Sequence, residues 1–393
     1  MRVLMVSDVY FPRVNGVSTS IETFRRTLSA HGVEVRLVVP RYGNEADEPG
    51  VVRVAGRPVP GDREDRLVGW RAMHRAVFEA AQDCNLIHVQ TPFIAHYAGL
   101  KAGRTLGLPV VATYHTLFEE YLQHYAKPIP PSWLRGQARA LSRRQCNQLN
   151  AVIVPSTAMR QRLASYGVTS PMHVLPTGIP MAQFAGGNGM RFRRKFGIGE
   201  SRPMALFVGR VAHEKNIGFL LEALVQARQI RPDALLVIAG EGPAMADLKE
   251  QTAALGLRDA VQFIGYLDRL QDLPDCYAAA NVFVFASRTE TQGLVLLEAM
   301  AAGVPVIALS EMGTTDILAP ARGAFSPPDD PRAFGEVLGQ FLKNPEAWRH
   351  LNDEAPIYAQ EWTDVAMAER LARLYGELAN CKIGQNFRLT VAI

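Results

Sequence analysis

The chain has 393 residues, 48% of them hydrophobic and 20% charged, and its net charge is +4. This composition is ordinary for a soluble protein, and the length supplies buried cores for about two domains. The four cysteines form no C-x-x-C pair and no metal-binding spacing with histidine, so they imply no disulfide framework and are typical of a protein in a reducing compartment.

The N-terminal segment Met1–Asp8 is too short for a signal-peptide core, and no uncharged apolar stretch is long enough to span a membrane. We therefore expect a cytoplasmic protein whose membrane contacts are peripheral. Residues 1–200 carry 25 Lys and Arg against 14 Asp and Glu, whereas residues 201–393 carry 17 against 24. This asymmetry predicts that the N-terminal half meets an anionic surface or substrate, and no nucleic-acid-binding motif accompanies the basic residues.

Along the chain, short apolar runs alternate with segments of helical spacing, such as 21–30 and 95–106, which predicts βαβ units and two doubly wound, mainly parallel sheets. No G-x-G-x-x-G fingerprint follows the first strand, which argues against a nicotinamide enzyme. Ligands of open α/β sheets bind beyond the carboxyl ends of the strands, so we expect the site in a cleft between the two domains. The Gly- and Pro-rich residues 181–199 are predicted as a linker. The predicted strands are Val3–Val6, Val35–Val39, Leu86–Val89, Val110–Thr113 and Val152–Val154, then Met204–Val208, Leu235–Ala239, Val261–Ile264, Val282–Phe285 and Val304–Ala308.

The strongest candidate site follows the fourth strand of the second half, where residues 287–293 are predicted as a loop and 294–302 as a helix. The first N–H groups of a helix lack internal partners and carry the positive end of its dipole, so Gly293 and Leu294 can donate to a phosphate. Glu298 can accept hydrogen bonds from a ribose diol, and Glu290 from sugar hydroxyls. In isolation, two such glutamates would more often be a helix start and a solvated helix residue.

Two cations follow the first strand of the second half. Arg210 can chelate phosphate oxygens through its planar fork, and Lys215 adds a compact charge that would stabilise a diphosphate leaving group. Alone, such loop cations are usually surface charges. Gly16, in a turn after the first strand of the chain, lets its backbone approach a ligand closely, with a structural tight turn as the alternative. Ser18 or Ser20 is the predicted cap of the following helix.

Residues 289–308, T-E-T-Q-G-L-V-L-L-E-A-M-A-A-G-V-P-V-I-A, resemble the C-terminal signature of family 4 glycosyltransferases, and the resemblance extends from about Asp8 to residue 365. It implies the GT-B fold, with two Rossmann-like doubly wound domains facing across a cleft, and a retaining enzyme that uses nucleotide sugars. By the same resemblance, residues 1–180 bind the acceptor, residues 200–361 bind the nucleotide sugar, and a helix over 362–378 crosses back to the first domain.

The resemblance also assigns roles to single residues. Gly16, Arg210 and Lys215 match positions that contact the donor diphosphate in that family. His115 lies in a T-Y-H-T motif, which favours a role beside the reacting sugar, while His88 is the weaker candidate and can simply hydrogen-bond within the fold. Ile264 belongs to a loop that lines the nucleoside site. No Asp-x-Asp motif is present, so we expect neither a metal nor another cofactor, with basic residues and helix dipoles neutralising the diphosphate.

A basic helical face is predicted from Trp133, with Arg135, Arg139 and Arg143 at four-residue spacing. A solvated surface and adsorption to anionic lipid, with Trp133 at the interface, are equally consistent with this pattern. Residues 114–156 are similar to the subgroup that contains diacylglycerol glucosyltransferases and lipid mannosyltransferases, which favours a lipid acceptor.

The resemblance therefore implies a retaining transferase that moves a hexose from a nucleotide-diphosphate sugar to a hydroxyl of a membrane lipid such as diacylglycerol. UDP-glucose is the favoured donor and GDP-mannose the alternative. A same-face displacement fits better than a covalent intermediate, because Glu290 is placed against sugar hydroxyls. The alternatives are a soluble or polysaccharide acceptor, a sugar-nucleotide 2-epimerase, and a catalytically silent nucleotide-sugar binder.

Overall fold

The computed structural model shows two α/β units, each with its own sheet and hydrophobic core. The first holds Met1–Gly178 and the chain from Asp364 onward, and the second holds Ile179–Thr363. The structure describes residues 1–59, 62–115 and 131–380, with backbone alone for 62–64 and 131–134.

The first unit contains an eight-stranded sheet in the order β4-β3-β2-β1-β5-β6-β7-β8. Only the β3–β4 pair among the described strands is antiparallel, and the strands at the centre of the sheet are apolar and buried, as parallel strands covered on both faces require. The strands are β1 Arg2–Val6, β2 Glu34–Arg41, β3 Val51–Val59, β4 Asp62–Val68, β5 Leu86–Val89, β6 Val110–Thr113, β7 Ala151–Val154 and β8 Met172–Val174. The helices are α1 Gly16–Leu28, α2 Trp70–Ala81, α3 Ile94–Leu106, α4 Pro131–Cys146 and α5 Thr157–Ser165.

The second unit contains a six-stranded parallel sheet in the order β11-β10-β9-β12-β13-β14. The strands are β9 Met204–Val208, β10 Leu235–Ala239, β11 Val261–Gly265, β12 Val282–Phe285, β13 Val306–Ala308 and β14 Ala324–Phe325. The helices are α6 Met181–Phe184, α7 Gly189–Lys195, α8 Ile217–Ile230, α9 Met245–Ala254, α10 Asp272–Ala279, α11 Leu294–Ala301, α12 Thr315–Leu318, α13 Pro331–Lys343 and α14 Arg349–Ala359. Short 3-10 turns cover Ser29–His31, His213–Lys215, Met312–Thr314, Pro345–Trp348 and Gln360–Trp362.

The last described helix, α15 Asp364–Asn380, belongs to the first unit. Its buried face includes Leu371 and Tyr375, which join the apolar core under the sheet. The Tyr375 hydroxyl lies 2.5 Å from His88 Nδ1, although the two residues are 287 positions apart in the sequence. This contact holds α15 against β5, near the centre of the first sheet.

Two local predictions are wrong. Asn15, rather than Ser18 or Ser20, caps α1, because its Oδ1 accepts from the Ser18 N–H at 2.8 Å and the helix begins at Gly16. The segment predicted as the linker 181–199 instead forms α6 and α7, which pack on the second unit through buried Phe184 and Phe192. The glycines in this segment serve close packing, since a Cβ at position 187 would lie 2.1 Å from Pro274 O.

Candidate active site

The order of strands in the second sheet reverses between β9 and β12, which are neighbours although they are not consecutive. Such a switch point leaves a crevice beyond the carboxyl ends of the two strands, where open α/β sheets bind ligands. The loops that follow are 209–216 after β9 and 286–293 after β12. They carry Arg210, Lys215, Glu290 and Gly293, which the sequence had singled out.

Side-chain hydrogen bonds tie these two loops together. Asn216 Nδ2 donates to Ala286 O at 3.1 Å, and Ser287 Oγ donates to Glu214 O at 3.2 Å. Lys215 Nζ lies 2.6 Å from Glu290 Oε2, with about a fifth of each side chain exposed. The structure thus brings the predicted phosphate ligand and the predicted sugar ligand into one ion pair.

Gly293 forms the entry to α11. Its φ of 95° is a left-handed conformation that favours glycine, and no described side chain caps the helix. The first N–H groups of α11, including that of Leu294, therefore lie at the positive end of the helix dipole. Gly313 braces this loop, because its N–H donates to Glu290 O at 2.8 Å.

Arg210 is exposed, and the described part of the chain shows no ion pair to it. Ile264 lies in β11 and is partly buried against the core of the second unit. Glu298 is buried within α11, where its carboxylate accepts hydrogen bonds from Arg269 and Tyr277. These two partners were missed. Arg269 follows β11, so its position after a strand was a usable signal, whereas Tyr277 lies inside a helix and gave none.

The first sheet has its own switch point between β1 and β5. Asp8 follows β1, and its carboxylate accepts from Thr91 Oγ1 at 2.7 Å and from the Ala95 N–H of α3 at 3.1 Å. Burial raises the pKa of Asp8 to about 6. Sequence reasoning missed this residue, although a polar side chain directly after the first strand was a signal for it.

His115 follows β6, and its Nε2 lies 2.9 Å from Gln90 Oε1. Burial lowers the pKa of His115 to about 4, so its imidazole is neutral at pH 7. His88 is enclosed: its Nδ1 meets Tyr375 OH, and its Nε2 lies 2.7 Å from Thr113 Oγ1. Both nitrogens of His88 make contacts inside the fold, so its role is structural. The sequence analysis had allowed for this role.

The predicted basic face exists on α4. Arg139 and Arg143 are exposed and Arg135 is partly exposed, while Ala138 and Ser142 are buried on the opposite face. The Arg139 guanidinium lies 5.5 Å from the centre of the Tyr166 ring. The side chain of Trp133 lies outside the described residues. No helix within the described ranges is both long and apolar enough to cross a membrane.

Among the described residues, no group of three or more His, Cys, Asp or Glu side chains is arranged to hold a metal ion. The described cysteines, Cys84, Cys146 and Cys276, are buried and free.

Comparison with known proteins agrees with the two doubly wound sheets. The crystal structure of Anabaena HepE in complex with UDP superposes with a TM-score of 0.76 at 18% identity, covering 96% of this chain and 100% of that one. Sucrose-phosphate synthase from Thermosynechococcus elongatus gives the same TM-score at 21% identity, covering 96% of this chain and 98% of that one. The chain therefore has the GT-B fold, as the sequence predicted.

Sequence relatives specify the family. Residues 14–183 match the model of glycosyltransferase family 4, and residues 190–357 match that of glycosyl transferases group 1. The chain is 35% identical over 318 residues to alpha-monoglucosyldiacylglycerol synthase of Streptococcus pneumoniae, covering 78% of this chain and 71% of that protein. It is 31% identical over 336 residues to GDP-mannose-dependent alpha-mannosyltransferase of Mycolicibacterium smegmatis, covering 82% of this chain and 83% of that protein. The chain belongs to glycosyltransferase family 4 and is a hexosyltransferase that uses a nucleotide sugar.

Proposed function

We propose that the enzyme transfers glucose from UDP-glucose to a hydroxyl of diacylglycerol, with retention of the anomeric configuration. The observation that carries this proposal is the similarity to two alpha-monoglucosyldiacylglycerol synthases, at 35% and 28% identity. Glucose in UDP-glucose is α-linked, and an α-linked product means retention. GDP-mannose is the second candidate donor, supported by the mannosyltransferase relatives at 29% and 31% identity.

The donor diphosphate would be held at the switch point of the second sheet. Arg210 supplies an exposed guanidinium fork, Lys215 supplies an ammonium, and the first N–H groups of α11 at Gly293 and Leu294 supply the dipole. Gly16 adds a backbone without a side chain at the start of α1. These groups stabilise negative charge on the departing diphosphate, so the proposed chemistry requires no metal.

Glu290 and His115 would orient the sugar. The Glu290 carboxylate, already held by Lys215 at 2.6 Å, accepts hydrogen bonds from sugar hydroxyls. His115 acts as a neutral hydrogen-bonding group rather than a cation, because its pKa is lowered to about 4. Neither residue is needed as a covalent nucleophile in this proposal.

The transfer is a same-face displacement. The bond between the anomeric carbon and the β-phosphate oxygen breaks, and the acceptor oxygen forms a new bond to that carbon on the same face. The acceptor proton passes to the departing phosphate oxygen, so UDP leaves with the proton and no other reactant is consumed. The protein contributes orientation and charge stabilisation.

The acceptor side would lie at an anionic membrane, with the enzyme peripheral on the cytoplasmic face. Arg135, Arg139 and Arg143 line one side of α4, and their charges would attract anionic lipid headgroups. Trp133, at the start of the same helix, would sit at the interface. A soluble or polysaccharide acceptor is the alternative.

The first experiment uses purified enzyme in EDTA with UDP-glucose, GDP-mannose or ADP-glucose, and vesicles with or without diacylglycerol. Released nucleotide and the glycolipid product are measured, and the anomeric configuration is read by NMR. Release that needs both UDP-glucose and diacylglycerol, with an α-linked product, supports the proposal. Nucleotide release that does not depend on lipid would favour a soluble or polysaccharide acceptor. A β-linked product would contradict retention.

Two variants test the donor site in this assay. Glu290→Ala should remove most turnover, because the sugar loses an orienting carboxylate. Arg210→Ala should chiefly raise the donor KM, by about tenfold or more, the effect expected for losing a hydrogen bond to a charged group. Wild-type turnover in both variants would refute the site assignment.

The membrane proposal is tested by vesicle sedimentation. Replacing Arg139 and Arg143 with Gln should weaken binding to anionic vesicles by about 30-fold, from about 1 kcal/mol per removed charge. The matched control replaces Arg71 and Arg75, which are exposed at the same spacing on α2 of the same unit. Equal losses in the two double variants would show a general charge effect and not a specific face.

A further inference from the structure

The carboxylate of Glu298 is buried and held from two sides. The residue is 4% exposed, Arg269 Nη2 donates to its Oε1 at 2.9 Å, and Tyr277 OH donates to its Oε2 at 2.8 Å. Each oxygen therefore has one donor among the described residues. An ionised carboxylate has about four acceptor positions, so two remain for a ligand.

Tyr277 is a fixed donor. It is fully buried. Its ring packs edge-on against Phe184 with centroids 5.7 Å apart, and it is tilted against Phe283 with centroids 5.9 Å apart. Burial raises the pKa of Tyr277 well above its usual value, so the hydroxyl keeps its proton. The hydroxyl sets the position of one carboxylate oxygen.

Arg269 holds the other oxygen from a more open position. About a third of its side chain is exposed, against 5% for Glu298. The negative charge of Glu298 raises the pKa of Arg269, and the Arg269 carbonyl accepts from Gln183 Nε2 at 2.8 Å, which fixes the loop after β11. The guanidinium thus covers one edge of the carboxylate and fixes its plane.

We infer that Arg269 and Tyr277 are positioning residues for ribose recognition: they orient the Glu298 carboxylate so that one lone pair on each oxygen faces the 2′- and 3′-hydroxyls of the donor nucleoside. This inference rests on the proposed function, in which Glu298 binds the ribose diol. It adds that the diol is read by a three-residue unit drawn from α11, α10 and the loop after β11.

The test measures binding by calorimetry with two pairs of ligands, UDP and 2′-deoxy-UDP, and GDP and 2′-deoxy-GDP. Wild type should prefer the ribose form of its nucleotide by about tenfold or more, the effect of a hydrogen bond to a charged group. Arg269→Ala and Tyr277→Phe should reduce this preference to about twofold or less. Arg269→Lys, which keeps a donor to the carboxylate, should restore part of it.

Steady-state kinetics provide a second test of the inference. Because the ribose lies away from the bond that breaks, Arg269→Ala should raise the donor KM and leave kcat within about twofold. In a Glu298→Gln background, Arg269→Ala should have little further effect on the preference, since the two residues act as one unit.

Arg191→Ala is the matched control for stability. Arg191 makes a two-pronged ion pair with Asp275, another buried carboxylate of the same unit, which is 7% exposed. Both alanine variants should lose thermal stability, because each leaves a buried carboxylate without its arginine partner. Only Arg269→Ala should lose the ribose preference.

Three results would overturn the inference. An unchanged ribose preference in Arg269→Ala would show that Arg269 does not position the carboxylate. Tighter nucleotide binding by that variant would show that Arg269 blocks the site. An equal loss in Arg191→Ala would show a general structural effect. A wild type that binds neither UDP nor GDP would instead refute the proposed function itself, and this inference with it.

Discussion

Lys215 Nζ and Glu290 Oε2, which come from loops 75 residues apart, meet at 2.6 Å beyond the carboxyl ends of β9 and β12. Each side chain neutralises the other, and each is about a fifth exposed. A ligand that reaches one of them therefore meets both charges. In the proposed site, this ion pair would couple binding of the diphosphate to orientation of the sugar.

We predict that Lys215→Met lowers kcat by about 100-fold, the scale of removing one donor that stabilises charge in a transition state. In the proposed site the departing diphosphate would lose an ammonium, and Glu290 loses the partner that holds its carboxylate. Nucleotide release from the preferred donor measures the effect.

Lys195→Met is the control for that substitution. Lys195 Nζ lies 2.6 Å from Asp272 Oδ1 in the same unit, so the two variants break ion pairs of equal length. The control should retain wild-type turnover. If Lys215→Met does as well, the ion pair plays no part in catalysis.

Gly16→Ala should keep the fold and lose activity. A Cβ at Gly16 would have no neighbouring atom within 4 Å, so the melting temperature should stay within about a degree of wild type. If the donor diphosphate approaches this backbone, the added methyl group meets the ligand instead, and the donor KM should rise by about tenfold. Gly376→Ala, also free of neighbours and in the same unit, is the control. Normal donor kinetics in Gly16→Ala would remove Gly16 from the site.

Gly313→Ala should impair both stability and donor binding. A Cβ there would lie 2.0 Å from Thr291 O, so the loop that carries Glu290 must shift. Overpacking of this kind costs about 1–3 kcal/mol. Thermal unfolding and nucleotide titration would measure the two effects, with Gly186→Ala, which has open space around it, as the control. A variant that is destabilised yet binds donor normally would separate the loop position from donor recognition.

The sequence predicted the parallel core strands well, because strands buried on both faces are continuous apolar runs. Leu86–Val89, Met204–Val208 and Val282–Phe285 match the observed strands. The hairpin β3–β4 was missed because Arg53, Gly56 and Arg57 interrupt the apolar residues of β3, and because β4 is mostly charged, as on a sheet edge. The segment 181–199 was wrongly predicted as a linker. Its glycines permit close packing on α10, and a glycine needed for close packing looks the same in sequence as one in a flexible linker.

The sequence predicted only those parts of the candidate site that lie directly after strands or within a recognised motif. Residues 209–216 and 286–293 follow strands, and so their convergence could be expected from the rule for switch points. The partners of Glu298 depend instead on how α10 packs against α11, which no local pattern encodes. Asn15 took the capping role predicted for Ser18 or Ser20, since several candidates within a few residues differ only in where the helix starts.

The last prediction concerns His88, whose ring joins Tyr375 of α15 to Thr113 of β6. Burial lowers the pKa of His88 to about 3, from an ordinary value near 6.5. In the unfolded chain, His88 is therefore protonated below about pH 6.5, whereas in the folded chain it becomes protonated only near pH 3. Stability from this residue is complete above pH 6.5 and falls as the pH drops, by about 2 kcal/mol at pH 5.

His88→Gln removes the titrating group and keeps polar atoms near both hydroxyls. We expect it to be less stable than wild type at pH 7.5, by about 1–3 kcal/mol, because the fit to Tyr375 and Thr113 is imperfect. Between pH 7.5 and pH 5, however, its free energy of unfolding should fall by about 2 kcal/mol less than that of wild type. Urea unfolding at the two pH values measures this difference, and exposed His350→Gln serves as the control. Parallel pH profiles of wild type and His88→Gln would show that His88 is not the neutral, buried link that holds α15 to the first sheet.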